Sequence, residues 1–278
     1  MKRNNARAYA KVNLFLEVGE KRADGYHDIV SVMQRLSLCD DVSVALTDGG
    51  INVFCDADGL LGRDNIAYKA AERFFEAAKT NCGADISVKK RIPQAAGLGG
   101  GSSDAAAVIN LLNELCGNPL TYEKLLEIGF SVGADVPFFI SGCPTATVGG
   151  AGEKIAPLPN LSECFFVIAV SGEKQSTGEM YKRLDTTTAC RRTEDGIISA
   201  ITENNLENTG KNLYNAFERL YPADREAVKI FRGGKPLGVC LCGSGPCEFA
   251  LFRDRASAEE TVKRLTARGI AAYLTAPV

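Results

Sequence analysis

The sequence predicts an α+β protein with two lobes. Its 278 residues are enough for one large domain or two ordinary ones,. Strand-like and helix-like stretches occur in both halves, but they do not alternate strictly as they would in a doubly wound parallel sheet. A loop-like run with two prolines, at residues 156–160, separates the halves,. We therefore place one lobe at residues 1–158 and the other at residues 159–278.

The first lobe is predicted to begin with strands. Residues 7–18 carry the branched and aromatic side chains typical of a strand, and residues 29–46 give two further strand-like runs,. The acidic pair Asp40-Asp41 is predicted to break these two runs. Residues 51–55 form another short strand.

A helix is predicted after these strands. Asp64 and Asn65 precede it, and both are residue types that cap helix N-termini,. A strand at residues 86–92 follows the helix and ends at Pro93. The helix presents an apolar face made of Ile66, Ala70, Phe74 and Ala77,.

A second helix emerges from a glycine-rich stretch. Gly117 lies just beyond it, where glycine commonly ends a helix,. Thr121 is the expected N-cap of a third helix, which reaches about Ser131. The second helix is recognised by apolar residues at helical spacing, namely Ala106, Ile109, Leu112 and Leu115.

The second lobe is predicted to mix strands with short helices. It opens on the apolar strand at residues 164–170 and closes with an amphipathic helix and a strand,. After the first strand come helices at about 176–184, 194–204 and 212–220 and then strands at 238–244 and 247–252. The closing helix lies at 256–268 and the closing strand at 270–275.

The composition excludes several classes of protein. Lys and Arg total 32 against 34 Asp and Glu, so no basic surplus exists to hold a nucleic-acid backbone,. No stretch approaches the length of a membrane span, and the N-terminus lacks the apolar core of a signal peptide. Ten cysteines without a Cys-x-x-Cys pair, beside one histidine, indicate reduced thiols and not a zinc site,. We expect a cytoplasmic protein that binds neither nucleic acid nor membrane.

The glycine-rich stretch is the first feature that points to chemistry. Glycines let the backbone approach a ligand closely, and the free N–H groups of a helix's first turn suit phosphate oxygens. Ser102 or Ser103 can add a hydroxyl for phosphate or for Mg²⁺. The stretch is neither a Walker A loop nor a Rossmann turn, and the alternative is a plain flexible turn. Its glycines are Gly97, Gly99, Gly100 and Gly101.

A second glycine cluster lies between the two apolar strands of the second lobe. Gly243-Ser244-Gly245-Pro246 is compatible with a tight hairpin turn,. Taken with the first cluster, it is equally compatible with a second wall of a nucleotide or substrate site.

Three single residues leave alternatives open. Asp135 precedes Pro137 and two phenylalanines, so it is either a helix cap or a working carboxylate,. Lys11 stands inside a strand, where it either faces solvent or works in a site. His27 lies in a polar stretch, and it is either a solvated loop residue or a ligand contact.

These pieces occur together in one known family. The segment PQAAGLGGGSSDAAA resembles the Pro-x-x-x-Gly-Leu-Gly-x-x-Ser-Ser motif of the GHMP kinases, and GVCLCGSGPCEFALF resembles their C-terminal glycine motif. The opening AKVNLFLEVGEKRADGYHDIVSVMQ and the segment GADVPFF resemble the members that act on 4-diphosphocytidyl-2-C-methyl-D-erythritol. The resemblance spans roughly residues 8–252. It implies a ribosomal-protein-S5-like N-terminal lobe and a ferredoxin-like C-terminal lobe.

The resemblance also implies an activity, which is ATP-dependent phosphorylation of the substrate's 2-hydroxyl in non-mevalonate isoprenoid biosynthesis. It makes Asp135 the catalytic base and Lys11 its charged partner. Mg²⁺ is expected with ATP, and Ser103 is its candidate ligand. The implied contacts of ATP are Pro93, Gly97, Leu98, Gly99, Gly100, Gly101, Ser102, Ser103, Asn65, Lys90 and Arg91, and those of the cytidine substrate are Asn13, Tyr26, His27, Tyr181, Gly243 and Ser244.

The match to the family is not complete, and other functions remain open. Members often have asparagine where this chain has Asp104, directly after the two serines. One alternative is another GHMP kinase that acts on a different small alcohol. The others are a nucleotide- or sugar-sensing regulator without catalysis and an RNA-binding module. We expect a small-molecule substrate and a monomer or weak homodimer.

Overall fold

The computed structural model describes residues 2–23, 25–57, 62–172, 176–187 and 191–278, and its strands form two sheets. The strands are β1 (Arg3–Lys21), β2 (His27–Thr47), β3 (Ile51–Cys55), β4 (Gly83–Lys89), β5 (Thr145–Gly150), β6 (Lys154–Leu158), β7 (Phe165–Val170), β8 (Tyr214–Asn215), β9 (Gly238–Leu241), β10 (Glu248–Phe252) and β11 (Ala271–Thr275).

The helices pack on the faces of these sheets. Short 3₁₀ helices lie at Gly62–Asp64 and Ala216–Leu220. The α-helices are α1 (Ile66–Ala78), α2 (Gly100–Leu115), α3 (Tyr122–Val132), α4 (Val136–Ile140), α5 (Thr177–Leu184), α6 (Asp195–Thr202), α7 (Leu206–Lys211), α8 (Glu226–Gly233) and α9 (Arg255–Thr266).

The first sheet is built around the long antiparallel pair of β1 and β2. Its order is β3-β4-β2-β1-β8, and β5 and β6 extend it from β2. The two halves of β2 have different neighbours, because residues 29–34 pair with β5 and residues 41–47 pair with β4. α2 packs on β1 and β2 and carries the glycine-rich stretch at its N-terminus.

The second sheet is antiparallel, with the order β11-β7-β10-β9. Alternate residues of β7 face opposite sides, as strand geometry requires. Val167 and Ala169 join a core with α8 and α9. Phe166 and Ile168 join a second core, which also contains residues of β1 and of the segment 92–98. This shared core holds the two sheets against each other.

The α+β class is confirmed, whereas the division at residues 158 and 159 stays a prediction. In the structure β6 ends at Leu158, but β8 returns to the first sheet and pairs in parallel with β1. No helix in the ranges that the structure describes has the length and apolarity needed to cross a membrane.

Two sequence predictions about the elements are wrong. Asp40-Asp41 does not break a strand, because Asp40 is fully buried within β2 and its carboxylate accepts hydrogen bonds from the backbone N–H groups of Arg91 and Ile92. The same bonds explain why β4 ends at Lys89 and not at residue 92. The helix expected at 212–220 forms only in part, as the 3₁₀ helix Ala216–Leu220. Tyr214–Asn215 form β8 instead, where Asn215 Nδ2 donates to the carbonyl oxygens of Leu241 and Gly243. The sequence analysis missed β5, β6, α4, α7 and α8.

Candidate active site

A cavity of about 880 Å³ opens between the glycine-rich stretch, the second glycine cluster and the start of β2. Its walls come from both lobes, which the shared core holds together. Most of the residues named from the sequence line this cavity, namely Lys11, Asn13, Tyr26, His27, Asn65, Lys90, Pro93, Gly97, Leu98, Gly99, Gly100, Gly101, Ser102, Asp135, Tyr181, Gly243 and Ser244.

The first glycine loop (residues 93–101) has a backbone shape that requires glycine. Gly97 and Gly99 have φ of +74° and +72°, in the left-handed region that side chains disfavour,. A Cβ at Gly97 would lie 2.3 Å from the carbonyl oxygen of Cys242. A Cβ at Gly99 would lie 3.0 Å from Cγ of Lys11. The loop therefore lies directly against the second glycine cluster and the Lys11 side chain.

The second glycine loop (residues 243–246) is held from behind by polar side chains. Asn215 Nδ2 donates to the carbonyl oxygen of Gly243 at 2.7 Å. The hydroxyl of Tyr221 donates to the carbonyl oxygen of Ser244 at 2.9 Å. These contacts fix the loop's backbone opposite the first glycine loop, so it forms a second wall of the cavity.

Asp135 and Lys11 form an ion pair on the cavity wall. Lys11 Nζ lies 3.4 Å from Oδ2 of Asp135, and the side chain of Lys11 is almost fully buried. Asp135 occupies the N-cap position of α4 but makes no capping hydrogen bond. Its carboxylate, one third exposed, is thus available to the cavity and not spent on the helix.

A chain of hydrogen bonds fixes the position of Lys11. Its Nζ donates to Oδ1 of Asn13 at 2.8 Å, and Asn13 Nδ2 donates to the hydroxyl of Ser31 at 2.8 Å. That hydroxyl donates in turn to the carbonyl oxygen of Phe15. The backbone N–H of Lys11 donates to Leu98 of the first glycine loop. Asn13 lines the cavity, but both ends of its amide are engaged within the protein.

The cavity also has an aromatic end, formed by His27 and Tyr181. His27 is buried at the start of β2, its ring stacks on Tyr181 at 4.9 Å, and its Nε2 lies 2.9 Å from Oδ1 of Asp185. His27 is therefore not the solvated loop residue that the sequence left open. Burial, and then the charge of Asp135, raises the pKa of Tyr181 to about 12, so its hydroxyl stays protonated near neutral pH. Tyr26 is 55% exposed at the rim.

Buried charges lie at the base of the first glycine loop. Lys90 Nζ lies 2.5 Å from Oδ2 of Asp40 and 2.7 Å from Oδ2 of Asp104. Burial raises the pKa of Asp104 to about 7, although Lys90 opposes this shift. Burial lowers the pKa of Lys90, but the two carboxylates outweigh it and the net shift is upward. Asn65 caps α1 through a hydrogen bond from the N–H of Ala67.

Two residues named from the sequence are not part of the cavity wall. Arg91 points outward and pairs with Asp41 at the surface, where both side chains are nearly half exposed. Ser103 is buried, because the rotation of α2 turns it toward the core while Ser102 faces the cavity,. Ser102 is thus the serine hydroxyl of this helix turn that a ligand in the cavity meets.

Several residues on the cavity wall were missed by the sequence analysis. Asp185 lies 158 positions from its partner His27, and no local pattern joins them. Thr177, Lys182 and Phe217 also line the cavity. One signal was present for the buried charges, since Asp40 follows the largely apolar run Leu36–Cys39 of a strand, where an unpaired carboxylate is rarely buried,.

The chain matches known families over most of its length. The model of the GHMP kinases N terminal domain matches residues 65–143, and that of the GHMP kinases C terminal matches residues 197–271. A 4-diphosphocytidyl-2-C-methyl-D-erythritol kinase of Geobacter sulfurreducens is 39% identical over 277 residues, which cover 96% of each chain. The chain belongs to the 4-diphosphocytidyl-2-C-methyl-D-erythritol kinase family of GHMP kinases. The family predicted from the motifs is confirmed.

Further relatives agree with this family membership. The kinase of the same name from Pelobacter propionicus is 40% identical, with 93% of each chain covered. A crystal structure of a 4-(cytidine 5'-diphospho)-2C-methyl-D-erythritol kinase superimposes with a TM-score of 0.81 at 32% identity, covering 98% of each chain. A homoserine kinase from Cytophaga hutchinsonii gives a TM-score of 0.78 at 19% identity, covering 100% of this chain and 96% of the other. That last likeness concerns the GHMP fold alone.

Proposed function

We propose that the chain transfers the γ-phosphoryl group of ATP to the 2-hydroxyl of 4-diphosphocytidyl-2-C-methyl-D-erythritol. The observation that carries this proposal is the place of the Lys11–Asp135 ion pair in the cavity. Lys11 lies against the first glycine loop, and the charge of Asp135 reaches Tyr181, which with His27 forms the aromatic end. A phosphoryl donor and an alcohol bound at these two ends would meet at the ion pair.

Asp135 would act on the alcohol. An alcohol is a weak nucleophile near neutral pH, and a carboxylate within hydrogen-bond reach can orient it and accept its proton during transfer. Lys11, whose Nζ lies 3.4 Å from Oδ2 of Asp135, places a positive charge where negative charge develops on the phosphoryl group,. Asn13 would serve this pair by fixing the ammonium of Lys11.

The first glycine loop would hold the phosphates of ATP. The first turn of α2 offers backbone N–H groups and the positive end of the helix dipole,. Gly97 and Gly99 allow the backbone to come close to the ligand,. Lys90 and Asn65 line the same end of the cavity and are proposed contacts of the nucleotide. Arg91 points away and is a weaker candidate than the sequence indicated.

Mg²⁺ fits this site as a companion of ATP. Bound with nucleotide, Mg²⁺ usually keeps waters and phosphate oxygens and takes only one or two protein ligands. The described residues contain no cluster of three or more His, Cys, Asp or Glu side chains that would hold it alone. Ser102 and Asp135 are the oxygen-bearing side chains that would hold it, and the ion would neutralise phosphate charge,. Ser103, the ligand expected from the sequence, is buried.

The aromatic end would hold the cytidine part of the substrate. A pyrimidine ring is suited to stack on Tyr26 or Tyr181, and its polar edge needs hydrogen-bonding groups such as those of His27. Gly243 and Ser244 would close the cavity from the second lobe. Cytoplasmic location, the absence of nucleic-acid binding and a monomer or weak homodimer stay predictions of the sequence.

The position of the transferred phosphate tests this proposal. ³¹P and ¹³C NMR of the product formed from ATP, Mg²⁺ and the cytidine substrate is expected to show one phosphate on the 2-hydroxyl. The chain with Asp135→Asn provides the control, since it lacks the carboxylate and, because Asp135 makes no capping hydrogen bond, is expected to keep the fold. Phosphorylation of another hydroxyl, or equal product formation by the variant, would contradict the assigned geometry.

A further inference from the structure

The Lys90 cluster (Lys90, Asp40 and Asp104) lies next to the first glycine loop. Lys90 is a proposed contact of the nucleotide, whereas its two carboxylate partners have no role in the reaction described above. Lys90 lines the cavity, while Asp40 and Asp104 are buried behind it with 0% and 4% exposure. The ammonium bridges Oδ2 of both carboxylates, at 2.5 Å and 2.7 Å. Two carboxylates thus fix the ammonium of a residue that lines the cavity.

The cluster joins the two ends of the glycine loop. Lys90 precedes the loop and Asp104 follows it, so their ion pair closes residues 91–103 at the base. Asp40 also accepts hydrogen bonds from the backbone N–H groups of Arg91 and Ile92. Closing a flexible loop costs conformational entropy, and a loop whose ends are already tied has less to lose when it binds a ligand.

The arrangement of Asp104 is costly for a purely structural residue. Its Oδ1 is buried and has no hydrogen-bond partner among the described residues. Buried ion pairs often add little to stability, and an apolar side chain of similar volume can replace them. Asp40 alone would still neutralise Lys90 if Asp104 were removed. The presence of a carboxylate at position 104 is therefore better explained by its effect on the position of Lys90 than by a contribution to fold stability.

The formal charges of the cluster also matter for an anionic ligand. Burial raises the pKa of Asp104 to about 7, so above neutral pH one ammonium and two carboxylates sum to a single negative charge beside the N–H groups expected to bind phosphates. Lys90 is therefore not a free cation, and Asp104 acts on a phosphate in two opposite ways. Its oxygen orients the ammonium, whereas its charge repels the phosphate.

We infer that Asp40 and Asp104 are positioning residues that hold the Lys90 ammonium at the cavity wall, and that Asp104 thereby sets how tightly the glycine loop holds a nucleotide. This inference rests on the proposed function, in which that loop binds the phosphates of ATP.

Two substitutions at Asp104 separate its oxygen from its charge. Asp104→Asn retains an oxygen that can accept from Lys90 and removes the charge, whereas Asp104→Leu removes both. ATP binding to the full chain, measured by calorimetry with Mg²⁺ at pH 8.5, where Asp104 is ionised, is expected to be about 3-fold tighter for Asp104→Asn than for the unchanged chain,. Asp104→Leu is expected to bind about 10-fold more weakly than Asp104→Asn, because a charge-assisted hydrogen bond is lost.

Further readouts distinguish positioning from structural support. In the two Asp104 variants the KM for ATP should change in parallel with the dissociation constant for ATP. The KM for the cytidine substrate should stay within about 2-fold of that of the unchanged chain, and the thermal unfolding temperature should be unchanged or slightly raised. Asp41→Asn is the matched control. Asp41 is the next residue in β2, but it pairs with Arg91 at the surface, outside the cavity. Its substitution should leave both KM values unchanged.

The outcomes separate this inference from the proposed function. Equal ATP affinity of Asp104→Asn and Asp104→Leu would overturn the positioning role of Asp104. A rise in both KM values together with a fall in thermal stability would also overturn it, because Asp104 would then be a structural residue only. If Asp104→Leu does not fold, weaker ATP binding by Asp104→Asn than by the unchanged chain would still overturn the inference. A lack of ATP binding by the unchanged chain would overturn the proposed function itself.

Discussion

The close contact between the two glycine loops gives the most specific prediction, which concerns Gly97→Ala. The φ of Gly97 is +74°, and a Cβ there would lie 2.3 Å from the carbonyl oxygen of Cys242. The obstacle is backbone and not the end of a flexible side chain. The substitution must therefore force the first glycine loop away from the second.

The magnitude has two parts. Holding an L-residue in the left-handed region costs about 1 kcal/mol. A Cβ rarely comes within 3.0 Å of another heavy atom, so the loops must also separate by at least about 0.7 Å,. A displacement of about 1 Å in a catalytic site can lower a rate by about 100-fold. We expect kcat/KM for ATP to fall between about 10-fold and 100-fold.

A matched control distinguishes the effect of separating the two loops from the cost of the left-handed backbone. Gly269 has φ of +75°, and a Cβ there would have no heavy atom within 4 Å. Gly269→Ala is expected to lower the free energy of unfolding by about 1 kcal/mol and to leave the kinetics unchanged. Thermal unfolding and steady-state rates with varied ATP would be measured for both variants. Identical stability and kcat/KM for Gly97→Ala and Gly269→Ala would refute the contact between the loops.

Three further results are expected. Asp135→Asn should lower kcat by about 10²- to 10⁴-fold without changing thermal unfolding, and near-normal turnover would show that another group takes the proton. Tyr181→Leu should raise the KM for the cytidine substrate by about 10-fold and leave the KM for ATP unchanged, whereas equal changes in both would place Tyr181 outside the substrate end. Burial raises the pKa of Glu248 in the fold, although Ser171 and Arg225 oppose this shift. The folded protein therefore binds more protons than the unfolded chain from about pH 4.3 up to the raised pKa. Across that window the free energy of unfolding, relative to Glu248→Gln, should fall by up to about 1.4 kcal/mol per pH unit. A difference between the two chains that is constant across urea unfolding curves at pH 4 to 8 would contradict this.

The sequence predicted the parts of the site that are contiguous in the chain. Four glycines before a helix leave little choice of backbone shape, and the structure gives Gly97 and Gly99 the left-handed conformation that only glycine adopts freely,. The capping role of Asn65 was equally local, because a cap bonds to an amide two residues away. The family resemblance added the pairing of Lys11 with Asp135, which spacing alone left open.

Contacts between distant segments were beyond the sequence analysis. Asp40 was interpreted as a strand breaker because its partners, Lys90 and the N–H of Ile92, lie some fifty positions away. The first part of the helix expected at residues 212–220 is lost for the same reason, since Asn215 bonds to the carbonyls of Leu241 and Gly243. Tertiary hydrogen bonds override local propensity in both cases.

Release of ADP from ATP and Mg²⁺ with 4-diphosphocytidyl-2-C-methyl-D-erythritol tests the central claim most directly. Mevalonate and homoserine, offered at the same concentration, serve as competing alcohols, and the chain with Asp135→Asn serves as the control. Turnover with the cytidine substrate alone, lost in the variant, is the expected result. Turnover with another alcohol would agree with kinase activity but contradict the proposed substrate. Tight ATP binding without any turnover would contradict the proposal that the chain is a catalyst.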